Sequence, residues 1–137
     1  MVKVIMGEKG TGKTKLLIDM VNRAAEANDG SVVCIEGGRN LTYDIKYSAR
    51  LTDYFDYPIE KSFDSLFAFI CGIYAQNFDI SHVFIDSLYK IAGPGGMPET
   101  EAFLKKLEDF GAANHVDFTV MITADKALAS DEVRKYF

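Results

Sequence analysis

Residues 7–14, Gly7-Glu8-Lys9-Gly10-Thr11-Gly12-Lys13-Thr14, set three glycines, a lysine and a hydroxyl in the spacing G-x-x-x-x-G-K-T. Each residue type answers a demand of a polyphosphate. Closely packed negative charges are best surrounded by inward-pointing backbone N–H groups, and a loop that turns tightly enough to present them needs residues without Cβ. Gly7, Gly10 and Gly12 meet that need. Lys13 carries a cation suited to β- and γ-phosphates, and the Thr14 hydroxyl is a ligand suited to Mg²⁺. The loop follows the apolar run Val2–Met6 and opens a helical stretch, whose free N–H groups and positive dipole end favour anions. The expected ligands are therefore a nucleoside triphosphate, ATP, and Mg²⁺, bound by Gly7, Glu8, Lys9, Gly10, Thr11, Gly12, Lys13 and Thr14. Asp86 closes a second apolar run, Val83-Phe84-Ile85, and is the carboxylate expected to share the metal with Thr14.

The elements that must carry these residues can be traced by periodicity. Val2–Met6 reads as a strand. Lys13–Ala27 has helical spacing, with Leu16, Leu17, Met20, Val21, Ala24 and Ala25 on one face, and Asn28-Asp29-Gly30 ends it. Ser31–Ile35 is a continuous apolar strand of the type buried on both faces. Over 37–60, alternation of Leu41, Tyr43, Ile45 and Tyr47 suggests an exposed strand or hairpin. Tyr43, Tyr47, Tyr54 and Tyr57 suit either a partner or base-stacking surface or the packing of that hairpin.

Ser62–Gln76 reads as a helix with Ser62 as its N-cap, followed by a strand at His82–Ile85. Pro98 fits the first residue of a helix running to about Asn114. Phe118–Ile122 is the last strand, and Ser130–Phe137 a short capped helix. Strands alternating with helices imply an α/β fold, a mainly parallel sheet between helical layers in one domain of 137 residues. Ligands of such sheets bind at the carboxyl ends of the strands.

Apolar residues make up 48% and charged residues 26%, as in ordinary globular proteins. The net charge of −5 and the scattered Arg23, Arg39, Arg50 and Arg134 argue against a nucleic-acid partner, which needs clustered cations. No apolar run approaches the roughly 20 residues of a membrane span, and Val2–Met6 is too short for a secretion signal. Cys34 and Cys71 lie in apolar segments without ligand spacing and read as reduced, buried thiols of a cytoplasmic protein. His82 and His115 stand alone and suggest no metal site.

The succession of the glycine-loop strand, a second strand, the Asp86 strand and a polar-ended strand, Val120-Met121-Ile122-Thr123-Ala124-Asp125, resembles the additional-strand class of P-loop ATPases, which includes RecA-like, secretion and AAA+ ATPases. The resemblance implies a P-loop NTPase fold with the P-loop strand central and the strand bearing Thr123 between the first and third. It implies a sensor role for Thr123 near the γ-phosphate. Many members follow the Asp with a Glu; here Ser87 stands there, and it is no base near neutral pH. RecA-like members use a Glu at the end of the second strand, which makes Glu36 either a residue orienting the attacking water or a solvent-facing strand end. Lys13, Glu36, Asp86 and Thr123 thus form the expected catalytic set. Arg39 is either a finger acting on a phosphate, in its own or a neighbouring subunit, or a surface charge.

The whole chain is similar to small bacterial P-loop proteins related to the twitching-motility ATPases. Those motors carry a further N-terminal domain and acidic and His-containing boxes, for which only His82 stands here, so a motor role is not expected. The expected function is ATP binding with slow hydrolysis dependent on self-assembly or a protein partner. A nucleotide switch or scaffold without turnover is the alternative, and a small-molecule or nucleoside kinase ranks third, because Arg134 is the only arginine after Lys90.

Overall fold

A computed structural model describes residues 1–27, 29–39, 41 and 44–137; Asn28, Asn40, Thr42 and Tyr43 lie outside the described residues. The elements are β1 (Val2–Gly7), α1 (Lys13–Ala27), β2 (Ser31–Glu36), β3 (Arg50–Asp53), α2 (Phe63–Gln76), β4 (Ile80–Ile85), α3 (Leu88–Ala92), α4 (Met97–Asn114), β5 (Asp117–Thr123) and α5 (Asp131–Arg134), with 3₁₀ turns at Tyr54–Asp56 and Lys126–Leu128. The strands form a five-stranded sheet in the order β1-β5-β4-β2-β3, with every pairing parallel.

Strand side chains alternate between two cores, as the period of two requires. Val4, Ile35, Ile85 and Val120 face one side, against Leu66 and Ile70 of α2, Leu104 and Leu107 of α4, Ile91 of α3 and Val133 of α5. Val32, Cys34, Phe84 and Met121 face the other, against Leu17, Val21 and Ala25 of α1 and Leu41. Helices therefore cover both faces of an α/β protein, compatible with three layers. Ser62 caps α2 by accepting from the Ser65 N–H at 3.0 Å, and Ser130 caps α5 through the Val133 N–H at 3.3 Å. The C-terminal helix is shorter than the expected 130–137, and α4 begins at Met97, which makes Pro98 its second residue.

Two expectations need correction. The strand that leads into the glycine loop is not central: β1 lies at the sheet edge, with β5 as its one strand neighbour. The physical reason is Lys3, which sits mid-strand and is exposed; a charge there suits an edge and would be costly in a strand covered on both faces. The outer edge is partly covered by the chain's own C-terminal segment, the Val4 N–H donating to the Tyr136 carbonyl at 2.8 Å.

The hairpin expected over 38–60 is not found among the described residues. Instead the Asp44 and Ile45 N–H groups both donate to the Leu41 carbonyl, at 3.0 and 3.2 Å. Asn22 of α1 holds Asp44 and Lys46 by donating to the Asp44 carbonyl and accepting from the Lys46 N–H. The connection thereby crosses the α1 face with Leu41 buried, and β3 enters parallel to β2, the register running from Val33↔Arg50 to Glu36↔Asp53. Of the tyrosines in this stretch, Tyr43 lies outside the described residues. Tyr54 is buried, its hydroxyl donating to the Glu60 carbonyl at 2.6 Å, whereas Tyr47 and Tyr57 are exposed.

Candidate functional site

Because the sheet is parallel, its strands all end on one rim. In sheet order the rim residues are Gly7, Thr123, Asp86 just beyond β4, Glu36 and Asp53. Gly7 pairs in register with Thr123, and the Ala124 N–H donates to the Gly7 carbonyl at 3.1 Å. The Asp86 N–H donates to the Ile35 carbonyl at 2.9 Å, which ties that carboxylate to the end of β2.

The loop between β1 and α1 turns through left-handed backbone at Gly10 (φ +87°) and Gly12 (φ +86°), a region where a Cβ would be strained. Lys13 folds back across this loop. Its Nζ donates to the Glu8 carbonyl at 2.7 Å and lies 3.4 Å from Thr11 Oγ1, which itself donates to the same carbonyl at 2.7 Å. The first helical bond of α1 runs from the Leu16 N–H to the Gly12 carbonyl. The amides before it are thus free of intrahelical partners, the arrangement that favours anions.

A cavity of about 700 Å³ opens beside this loop. Its walls are Lys9, Gly10, Gly12, Lys13, Thr14 and Lys15 from the loop and α1, Asp86, Ser87, Tyr89 and Lys90 from β4 and α3, and Thr123 from β5. The volume lies within the range of small-molecule sites. Four lysines face one aspartate, so the cavity is electropositive although the chain is acidic overall.

Asp86 is half-buried, and that burial raises its pKa; the Ser87 hydroxyl, donating to Oδ1 at 3.3 Å, and the charges of Lys90 and Lys13 act against the rise. Ser87 adopts φ 61° and ψ 67°, an uncommon conformation for a residue with a side chain. It turns the chain sharply from β4 into α3 and brings Tyr89 and Lys90 to the cavity wall. The Tyr89 hydroxyl is 2.7 Å from Thr100 Oγ1, which fastens α3 to α4.

Lys13, Thr14, Asp86 and Thr123 therefore share one cavity, and Glu36 and Arg39 do not line it. Glu36 is only 1% exposed and accepts from the Leu41 N–H at 3.3 Å, so it is neither solvent-facing nor directed into the loop cavity. It lines a separate cavity of about 540 Å³ with Arg39. Arg39 is held by the Asp56 carboxylate, at 2.8 and 3.0 Å, beside Asp53. On the other side of the glycine loop, Gly7, Glu8, Thr11, Leu16, Asp125 and Lys126 line an adjoining cavity of about 440 Å³. Leu16, expected on the buried face of α1, is exposed there for this reason.

Lys15, Tyr89 and Lys90 are the cavity residues that the sequence reading missed. Lys15 lies one position past the motif. Tyr89 and Lys90 sit on a five-residue helix, too short to register as periodicity, and only their closeness to Asp86 in the chain marked them.

No group of three or more His, Cys, Asp or Glu able to hold a metal occurs among the described residues. Mg²⁺ does not need one: it is commonly bound through one or two carboxylates together with substrate phosphates. The Thr14 hydroxyl and the Asp86 carboxylate, lining the same electropositive cavity, fit that donor set. Among the described residues no helix is long and apolar enough to cross a membrane. Comparison with protein-family models and with curated proteins finds no match to this chain.

Proposed function

We propose that this chain is a P-loop protein that binds a magnesium–nucleoside triphosphate, ATP, and hydrolyses it slowly unless assembly or a partner completes the site. The observation that carries this reading is the convergence of Lys13 and Thr14, Asp86 and Thr123, from three separate segments, on one electropositive cavity. The position of β5 between β1 and β4 supports the resemblance to the additional-strand class. On binding, the loop N–H groups and the α1 N-terminus take the phosphates, and Lys13 exchanges the Glu8 carbonyl for phosphate oxygens, a charge-assisted bond. Thr14 and Asp86 would hold Mg²⁺, which when bound would supply positive charge to offset that of the phosphates.

Slow turnover follows from what surrounds the cavity. Ser87 offers no base, Glu36 is engaged with the Leu41 N–H, and Arg39 is engaged with Asp56. The same observations favour a second reading, a nucleotide-dependent switch that binds without turnover.

Titration of the full chain with Mg–ATP tests the binding. Saturable binding is expected, weakened at least tenfold in Lys13→Ala; unchanged affinity in that variant rejects the P-loop site. Phosphate release then separates the two readings. Turnover that rises with chain concentration supports the ATPase, and none at any concentration supports the switch.

A further inference from the structure

We propose that Lys90 is a second phosphate-binding cation of this cavity, one that engages the terminal phosphate of the triphosphate held by the P-loop. The inference rests on the triphosphate reading above and adds a residue that no motif assigns.

Its position carries it first. Lys90 and Lys13 line the same cavity from different walls. The strands behind those walls, β4 and β1, are separated by β5, so about 10 Å of sheet lies between them. Asp86 lies within the field of both ammonium groups. Phosphates seated at the start of α1 would have Asp86 and Lys90 on the facing wall, where the terminal group would lie.

The charge census is the second support. Lys46, Lys105, Lys106 and Lys135 form ion pairs, and Lys61 and Lys126 lie over phenylalanine rings. Lys3, Lys9, Lys15 and Lys90 have no such partner among the described residues; Lys3 lies on the edge strand β1, and the other three line this cavity. Unpaired cations collected at one concave site suit a polyanion. Lys9 lies within the P-loop and Lys15 directly after it, whereas Lys90 comes from the wall that carries Asp86.

The third support is rigidity. Leu88 and Ile91 are fully buried, and Tyr89 is bonded to Thr100, so the backbone of Lys90 is held while its side chain stays exposed. A cation on a fixed backbone has only its side-chain freedom to lose when it binds.

Calorimetric titration with a non-hydrolysable Mg–ATP analogue and with Mg–ADP tests this on the wild type, Lys90→Gln, Lys90→Arg and Lys13→Ala. Lys90→Gln is expected to weaken the triphosphate analogue about 10- to 100-fold, the range of a hydrogen bond to a charged group, and to change ADP affinity less than about threefold. Lys90→Arg is expected to restore most of the loss, and circular dichroism to show the variants folded. An equal loss for both nucleotides makes Lys90 a general charge and overturns the proposal, as does no loss for either. A wild type that binds neither nucleotide, or a Lys13→Ala variant that binds both unchanged, overturns the triphosphate reading itself.

Discussion

Adding one methyl group to this chain should have opposite effects at two glycines that both face open space. A Cβ built on Gly12 meets no atom within 4 Å, and neither does one built on Gly72. Crowding is therefore absent from both substitutions, and only the backbone distinguishes them. Gly12 has φ +86°, where an L-residue is disfavoured by about 1–2 kcal/mol. Gly72 lies within α2, where alanine is favoured over glycine by about 0.5–1 kcal/mol. The two variants should thus differ by about 1.5–3 kcal/mol.

For a domain of 137 residues, 1 kcal/mol corresponds to roughly 3–5 °C in Tm. Gly12→Ala should melt about 3–10 °C below the wild type, and Gly72→Ala about 2–5 °C above it. Thermal denaturation followed by circular dichroism, checked against urea midpoints, reads both. Gly12→Ala should also bind Mg–ATP at least tenfold more weakly, because any relief of the strain re-aims the loop amides, while Gly72→Ala should bind as the wild type. A Gly12→Ala protein that melts at or above the wild-type temperature would refute the strained-loop argument.

Two further outcomes concern ionisation. Burial holds the Asp86 pKa above its usual value, so the proton favours the folded state and the ionised carboxylate disfavours it at neutral pH. Asp86→Asn should therefore raise Tm at pH 7–8, with a gain that shrinks as pH falls through the raised pKa, while Mg-dependent nucleotide binding is lost; a lower Tm at pH 8 with binding retained would remove the functional reading of Asp86. His82 is partly buried, stacked on Phe84 with ring centroids 4.0 Å apart and its Nε2 2.9 Å from Thr119 Oγ1, and burial lowers its pKa. Its contribution is present above about pH 6.5 and is lost as pH falls toward the lowered value. Tm should drop more steeply between pH 7 and 5 in the wild type than in His82→Gln, and parallel slopes would count against the assignment.

The elements legible in the sequence were those with a local cause. Lys13–Ala27 carries about four turns of apolar repeat, and its bounds agree with α1. Ser62 and Ser130 announce their helices by side chains that reach N–H groups three residues on. Ser31–Ile35 and Phe118–Ile122 are apolar on both faces because they are interior strands. The alternation at Leu41, Tyr43, Ile45 and Tyr47 suits a hairpin, yet Leu41 and Ile45 both pack on the α1 side of the sheet. What decides the outcome is Asn22, a residue of α1, which holds Asp44 and Lys46 from a distance in sequence. Lys3 is the local mark of an edge strand in β1, whereas the central position was implied by the family resemblance.

The composition of the glycine loop is a local property, and so is the chemistry it can offer. Residues 7–14 contain the conformational freedom, the lysine and the hydroxyl that a polyphosphate needs, whatever surrounds them. The company of that loop is not local. Only the sheet order, with β5 between β1 and β4, brings Thr123 and Asp86 to Lys13 and turns Lys90 toward the same cavity. Only the packing of Leu41, Ile45 and Ala49 with α1 accompanies the engagement of Glu36 with Leu41 and of Arg39 with Asp56. The reason is physical: backbone conformation follows from neighbouring residues, whereas the approach of groups tens of residues apart follows from how buried faces pair, and a linear pattern contains that pairing only implicitly.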